Sequence, residues 1–509
     1  MTLIFGALLC LFHDFIFDDA FIIYRFARHL ARGHGIVWNV GDGPVEGFTS
    51  LLWVLLNASA MLLEADPVIF SKAVSTLASL AVIWIIVLHA RELHWSLAVV
   101  FAGALALSPP FAFLTMMGME TSTAALLVLA AALCAVKAAK EPSIKYSVLW
   151  HAAALAAFVA RPDTAAFNLG TFLSLLIIFS WKKDYTKLRR FLAGGAPFLV
   201  LFIIYTAWRV SYFGHLFPSA FYVKMAGGGS VFKSQGAIYF LSFLLSVFLP
   251  YLLLCAYLFA RQRSRDRLQE VLPILSGCAL FALYLFTINP IQGFLWRFIF
   301  PALPALLLGL VHYFSGVSVE RLFIKRWWAA ALVVLFFAFW TLRLVPLALF
   351  EKDARRTDDR IVAGKMLSGL SGTMFVSESG ALPYYSGWRS CDLFGLTSEE
   401  VAREGLSYEF LQKLDPDLVM LHELSGVYGP DSEAEETVNR YMMENGFIAV
   451  AAIHKSGGQF HFYFVKKTSP LFNDIIRRLL DIDGVRYGYL EELMFEQRIP
   501  VIGRSGPPR

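Results

Sequence analysis

Runs of apolar residues long enough to cross a bilayer recur from the first residue to about residue 349, broken only by short polar stretches. Water is absent from hydrocarbon, so a chain inside it must satisfy its own backbone groups, and a helix of roughly 20 apolar residues is the simplest solution. Such a chain folds as a bundle of membrane helices. The charge content agrees: 16% of the 509 residues are charged, against about 25% in an ordinary soluble protein. Beyond the last run the pattern changes. We divide the chain into a membrane domain, 1–349, with a first outer loop at 18–66, and an extracytoplasmic α/β domain, 350–509.

The pattern predicts about eleven spans, at 1–17, 67–89, 95–114, 121–138, 146–160, 165–181, 191–210, 237–260, 270–288, 298–316 and 327–349. Lys and Arg gather in the loops 137–145, 181–190, 261–267 and 321–326, which sets those loops on the cytoplasmic side. The outer face then receives 18–66, 115–120, 161–164, 211–236, 289–297 and everything after 350. The expected location is the cytoplasmic (inner) membrane of a bacterium, with the polar cluster and the tail outside. Segment 48–64 is apolar, but a crossing there would reverse every later loop, so it reads as a re-entrant or interfacial helix. The first segment is short for a span, which leaves room for a start upstream. It lacks the basic flank and small-residue cleavage site of a signal peptide and reads as a membrane helix. The five cysteines, four of them in apolar segments, form no CxxC or disulfide framework.

Two adjacent carboxylates, Asp18 and Asp19, stand where the first apolar run ends. A charge near hydrocarbon costs several kcal/mol unless it meets water, a cation or a substrate. After them, Ile23, Phe26, Ala27 and Leu30 share one helical face, with Arg25, Arg28, His29 and Arg32 on the other. This predicts a helix lying on the membrane surface, capped by an Asp and ended by Gly33. Further polar residues fall on the same outer side: Glu46, Glu120, Arg161, Asp163, Tyr212, His215, Lys224 and Arg297. Carboxylates there suit a general base, or a divalent cation such as Mg, Mn or Ca held by Asp18 and Asp19. Arg and Lys suit a departing phosphate; Trp38, Tyr212 and Trp296 suit a sugar face. Each has a plainer reading. Arg161 and Asp163 are spaced for a loop ion pair, Lys224 for snorkelling, Glu120 for a helix start, and His29 and His34 for local hydrogen bonds. In the tail, 373–385 reads as a strand entering a Gly turn, 415–422, 447–454 and 459–467 as strands, and 470–482 as a helix. No P-loop or dinucleotide motif appears: KMAGGGS (224–230) lacks the Lys-Ser/Thr ending. Nothing supports nucleic-acid binding.

The opening block DDAFIIYRFARHLARGHGIVWNVGDGPVEGFTSLLW resembles that of the GT-C superfamily, integral-membrane glycosyltransferases that use polyprenyl-phosphate sugars. It is most similar to the mycobacterial terminal arabinofuranosyltransferases and their bacterial relatives. GMET (118–121), ARPD (160–163), YFGHLFPSAFYVK (212–224), WRFIFPALP (296–304) and SGALPYYSGWRSCDLFGLT (379–397) follow in the order of that group. The resemblance implies a polytopic helical enzyme that moves a sugar, arabinofuranose among the candidates, to a cell-envelope glycan or lipid-linked acceptor. It implies Asp18 as the catalytic carboxylate and Asp19 as its partner. Lys224 and Arg297, joined by Arg161, would face the donor phosphate; His29, Glu46, Tyr212 and His215 would line the substrate. A transporter or flippase for lipid-linked glycans also needs many spans and cationic sites, but its site belongs at the midplane between two repeats. Here the polar residues sit at one face and no repeat is visible. A scaffold that only anchors the tail needs far fewer spans.

Overall fold

The computed structural model describes residues 1–91, 95–141, 143–225, 233–261, 265–314, 327–423, 432–454 and 459–482. Six helices among them are long and apolar enough to cross a membrane: Pro67–His89, Thr121–Lys140, Thr164–Trp181, Tyr185–Phe213, Ser234–Ala260 and Asp266–Leu285. Shorter apolar helices, Leu51–Leu62, Ile144–Ala160 and Leu303–Phe314, pack among them. The outer faces of the long helices are apolar. On Tyr185–Phe213, Leu199, Val200, Leu201, Phe202, Ile203 and Ile204 are all exposed. Water does not tolerate a contiguous band of that kind, whereas lipid matches it. The chain is a multi-pass membrane protein. Helices Thr164–Trp181 and Arg265–Leu285 cross closely because Gly170 and Gly277 present no side chain: a Cβ on either would strike the partner helix's backbone.

Four expected spans take another form; the last, 327–349, divides into the helices Trp327–Leu342 and Val345–Ala354. The first, 1–17, is helical only over Thr2–Cys10 and then turns; at 1.5 Å per residue that is roughly half a bilayer. Span 95–114 is broken into Trp95–Ala106 and Pro109–Met116, because Pro109 and Pro110 supply no backbone N–H. Span 298–316 begins later, at Leu303, after an irregular stretch. Segment 48–64 forms the helix Leu51–Leu62, capped by Ser50, whose hydroxyl accepts from the Trp53 amide. Its 12 residues are too few to cross. The span Ser234–Ala260 contains one π-helical turn, Leu244–Phe248. The basic loop 321–326 lies outside the described residues, as does most of the loop 224–230.

The tail folds on a five-stranded sheet: β1 (Thr373–Val376), β2 (Arg389–Asp392), β3 (Leu418–Glu423), β4 (Phe447–His454) and β5 (Phe460–Lys466). The order is β2-β1-β3-β5-β4, with β1 parallel to β2 and β3, and β5 antiparallel to β3 and β4. Alternation divides the sheet into two cores. Phe375, Val419, Leu421, Phe462 and Phe464 face the helix Glu433–Glu444; Met374, Val376, Leu418, Met420 and Val465 face Asp358–Leu367 and Phe472–Leu480. The strand expected to enter a Gly turn within 373–385 forms over Thr373–Val376, and beyond Gly380 the residues Ala381–Ser386 form a helix. Strand β2 was absent from the sequence reading: Arg-Ser-Cys-Asp has no apolar alternation. The expected helix 470–482 forms over Phe472–Leu480; residues 455–458, between β4 and β5, lie outside the described residues.

The first outer loop is tied to the long span by a buried ion pair. Arg209 donates from Nε and Nη2 to both oxygens of Glu46 at 2.7–2.9 Å, and both side chains are about 10% exposed or less. Breaking a buried pair strands one charge, at roughly 3–5 kcal/mol. Arg209→Met should therefore lower thermal stability in detergent by about that amount, read as a fall in Tm. Adding Glu46→Leu should recover most of the loss.

Candidate active site

The helix Asp18–Ala31 starts at Asp18 and ends as Gly33 turns left-handed. It was expected on the membrane surface with a cationic face in water. In the structure ten of its 14 residues are buried, Arg25 and His29 among them, because the sheet domain covers it. Arg25 donates to the carbonyl oxygens of Trp38, Pro383 and Trp388 and to Asn39 Oδ1, at 2.6–3.0 Å. Trp38 Nε1 donates to the Ser390 carbonyl at 2.9 Å. The segments 18–42 and 380–390 are thereby fastened to each other.

Asp18 is the innermost fastening. Its Oδ2 accepts from the Gly380 amide at 2.9 Å and its Oδ1 from the Ala381 amide at 3.0 Å. These amides open the short helix Ala381–Ser386, where backbone donors are otherwise unsatisfied. The guanidinium of Arg360, itself 1% exposed, lies 3.3 Å from Oδ1 and also pairs with Glu378. Both oxygens of Asp18 are engaged and the residue is buried. The expected catalytic carboxylate is held as a latch.

Asp19 points elsewhere. A third of its side chain is exposed (34%), and Oδ2 lies 3.8 Å from Arg297 Nη1. Arg297 follows Gln292, Leu295 and Trp296, three non-glycine residues with positive φ. Such backbone costs about 1–3 kcal/mol per residue and persists only where the surroundings enforce it. The enforcement is visible: Trp296 Nε1 donates to Ser242 Oγ at 2.8 Å, and the Phe298 amide donates to the Tyr239 hydroxyl at 3.0 Å. Arg297 packs between the Phe17 and Phe298 rings, and its buried Nε has no hydrogen-bond partner among the described residues. Burial pulls its pKa below the ordinary value, which Glu120 and Asp19 only partly oppose.

Arg161 was expected beside a phosphate and is neutralised already. It meets Asp163 through Nε at 3.1 Å and Nη2 at 2.5 Å, and Glu120 through Nη1 at 3.0 Å. Burial opposes its charge, but the two carboxylates outweigh that and raise its pKa. The loop ion pair is what forms. The expected substrate contacts are similarly engaged. His29 Nδ1 bonds the Val37 carbonyl at 2.9 Å, and burial pushes its pKa down to about 4, leaving the ring neutral. Glu46 is taken by Arg209. The Tyr212 hydroxyl accepts from the Ile36 amide at 3.0 Å, and His215 pairs with Glu399. Each of the four thus meets a protein group, within the segment 18–66, on the helix Tyr185–Phe213 or in the sheet domain. Trp38 is fully buried, out of reach of a sugar. Lys224 lies on the helix Ser219–Met225, with its side chain outside the described part.

A divalent ion shared by Asp18 and Asp19 does not fit this geometry, since the two carboxylates diverge toward different guanidinium groups. A small apolar crevice, with about 20 Å³ of free room, lies between helices; Leu105, Phe248, Tyr251, Leu303, Leu307 and Trp340 are in its wall. It adjoins the π-helical turn and begins six residues beyond Arg297. Sequence reasoning missed Arg25 as a fastening and missed Arg360, Glu378 and Gly380 altogether. Their only signal was proximity to the Asp358-Asp359 pair and to SGALP, neither of which states a partner.

The model of a family described as "Domain of unknown function (DUF8728)" matches residues 359–465. No curated protein matches in sequence. Two solved structures are alike over nearly the whole chain. ArnT from Cupriavidus metallidurans bound to undecaprenyl phosphate has a TM-score of 0.58 at 14% identity, covering 92% of this chain and 96% of that one. Its apo state has a TM-score of 0.56 at 12% identity, covering 91% and 96%. The fold is therefore GT-C-like, a helical membrane bundle with a C-terminal sheet domain.

Gly380 is the contact point of the latch: a Cβ there would overlap the Asp18 carbonyl and carboxylate. Gly380→Ala should expel Asp18, lower Tm, and expose the sheet domain to proteolysis near residue 380. Unchanged Tm and digestion would show that the latch contributes nothing.

Proposed function

We propose that this protein is a membrane glycosyltransferase that takes its sugar from a polyprenyl-phosphate donor. The observation that carries the reading is the divergence of the two adjacent carboxylates. Asp18 is locked onto Gly380 and Ala381, while Asp19 is partly open beside a buried arginine held on a strained loop. A carboxylate and a guanidinium side by side match what such a transfer needs: a base for the acceptor hydroxyl and a positive charge for the departing phosphate. That ArnT from Cupriavidus metallidurans was crystallised with undecaprenyl phosphate supports a polyprenyl phosphate as the lipid carrier.

In this reading the acceptor hydroxyl attacks the anomeric carbon as the bond from that carbon to the phosphate oxygen breaks. The polyprenyl phosphate leaves with its negative charge against Arg297, placed in advance so that little reorganisation is needed. Asp19 takes the acceptor proton in an inverting transfer, a contribution of about 10²–10⁴ in rate. Asp18 holds the helix that carries Asp19. The acceptor is a cell-envelope glycan or a lipid-linked glycan on the outer face, and the opening sequence block makes arabinofuranose the first sugar to try.

Membranes containing each variant, offered a panel of radiolabelled polyprenyl-phosphate sugars, test the roles. Asp19→Asn should lower kcat by at least about 100-fold with Tm unchanged. Arg297→Gln should weaken donor use, and Asp18→Asn should lower Tm as well as transfer. Near-normal transfer by Asp19→Asn would remove the base assignment. No transfer from any donor by folded wild type with acceptor present would favour a glycan transporter.

A further inference from the structure

On the sheet face turned toward Asp18, three side chains converge that the glycosyl-transfer reading does not use. His422 on β3 and His461 on β5 are register partners on antiparallel strands, so their rings lie side by side, 4.8 Å between centroids. Glu378, just past the end of β1, lies between them and the membrane helix. His461 Nε2 is 3.0 Å from Glu378 Oε2, and His422 Nδ1 is 3.4 Å from Glu378 Oε1. One ligand atom from each of the three lies within 4.8 Å of the others.

The far side of each ring is as informative as the near side. His461 Nδ1 faces Asp359 Oδ2 at 2.5 Å, and His422 Nε2 faces Gln459 Oε1 at 3.3 Å. Carboxylate and amide oxygens accept hydrogen bonds, so each remote nitrogen has an acceptor for its proton in the tautomer that leaves the near nitrogen free to bind a metal. The near nitrogens then present lone pairs toward a carboxylate, an arrangement that repels unless a cation lies among them. Metal-binding histidines are held in this manner, with the remote N–H on a carboxylate or carbonyl. Charge points the same way. Asp18, Asp359 and Glu378 all lie against the guanidinium of Arg360, so the neighbourhood is rich in carboxylate.

We propose that Glu378, His422 and His461 bind a divalent transition-metal ion of the zinc type, with Asp359 and Gln459 orienting the imidazoles. Two imidazoles and one carboxylate suit zinc better than Mg or Ca, which prefer all-oxygen sets. Bonds of about 2.0–2.1 Å in a tetrahedron place donors roughly 3.4 Å apart, so the observed 3.0 and 3.4 Å separations need only small adjustment. The ion fixes Glu378, Glu378 fixes Arg360, and Arg360 reaches Asp18: the site is a structural clamp behind the latch. All three ligands fall within the matched segment 359–465. The alternative is a proton in place of the metal, an imidazolium of His461 bridging Asp359 and Glu378.

Metal analysis of the full-length protein in detergent separates the two. Protein is stripped with chelator, incubated with Zn²⁺, dialysed, and measured for zinc content and for Tm with and without Zn²⁺. Wild type should retain one zinc ion per chain and gain Tm on reloading. His422→Gln, at a partly exposed ring, and His461→Gln should each lose the ion and the Tm gain. Wild type that is monodisperse and unfolds cooperatively yet retains no zinc would overturn the proposal, as would zinc retained at full stoichiometry in both variants. Neither readout depends on glycosyl transfer.

Discussion

The contact between Asp18 and the amides of Gly380 and Ala381 joins the two halves of this chain. A carboxylate against two backbone donors and a guanidinium is among the stronger pairings available, since each bond is charge-assisted. It sits at the start of the helix that carries Asp19 and at the entry to the short helix Ala381–Ser386 of the sheet domain. The bonds of Arg25 and Trp38 to residues 383–390 extend that seam. The helix could not lie in a lipid interface and make these contacts. Its polar face is consumed by the domain above it.

The first consequence concerns the neighbouring residue. Consecutive residues on a helix are rotated by about 100°, so fixing Asp18 on the sheet domain turns Asp19 away from it. Asp19 then meets Arg297, brought up by a loop whose left-handed residues are braced by Ser242 and Tyr239. Rigid placement of both charged groups is what electrostatic catalysis requires, because groups already in place need not reorganise as charge develops. Strain in the loop and burial of the arginine are destabilising costs offset elsewhere in the bundle, a common pattern at working sites.

Much of this was legible in the sequence. The long helices follow from apolar runs, and the interfacial reading of 48–64 agrees with a helix too short to span. The Asp18-Asp19 pair stood out because charge beside lipid needs a partner. The partners themselves were illegible. Arg360 and Gly380 are more than 300 residues away from Asp18, and nothing local in ARRTDDR or SGALP announces a long-range contact. Glu46, His215 and Arg161 looked like substrate ligands for the same reason: a charged residue in an outer loop gives no sign of whether it faces a sugar or another side chain. Pro109-Pro110 broke the expected span 95–114, and the irregular stretch that continues to residue 302 delayed the start of 298–316, since hydropathy averages across such breaks. Strand β2 was missed because its register is set by β1, and Ser390 and Asp392 are buried through hydrogen bonds instead of apolar packing.

The most direct measurement is an electron cryomicroscopy structure of the protein in a lipid nanodisc with a polyprenyl phosphate bound. The expected result is the phosphate within hydrogen-bonding distance of Arg297, Asp19 turned to the same opening, and Asp18 still on the amides of Gly380 and Ala381. A phosphate bound away from Arg297, or an Asp18 that leaves those amides to face the phosphate, would contradict the division of labour between the two carboxylates.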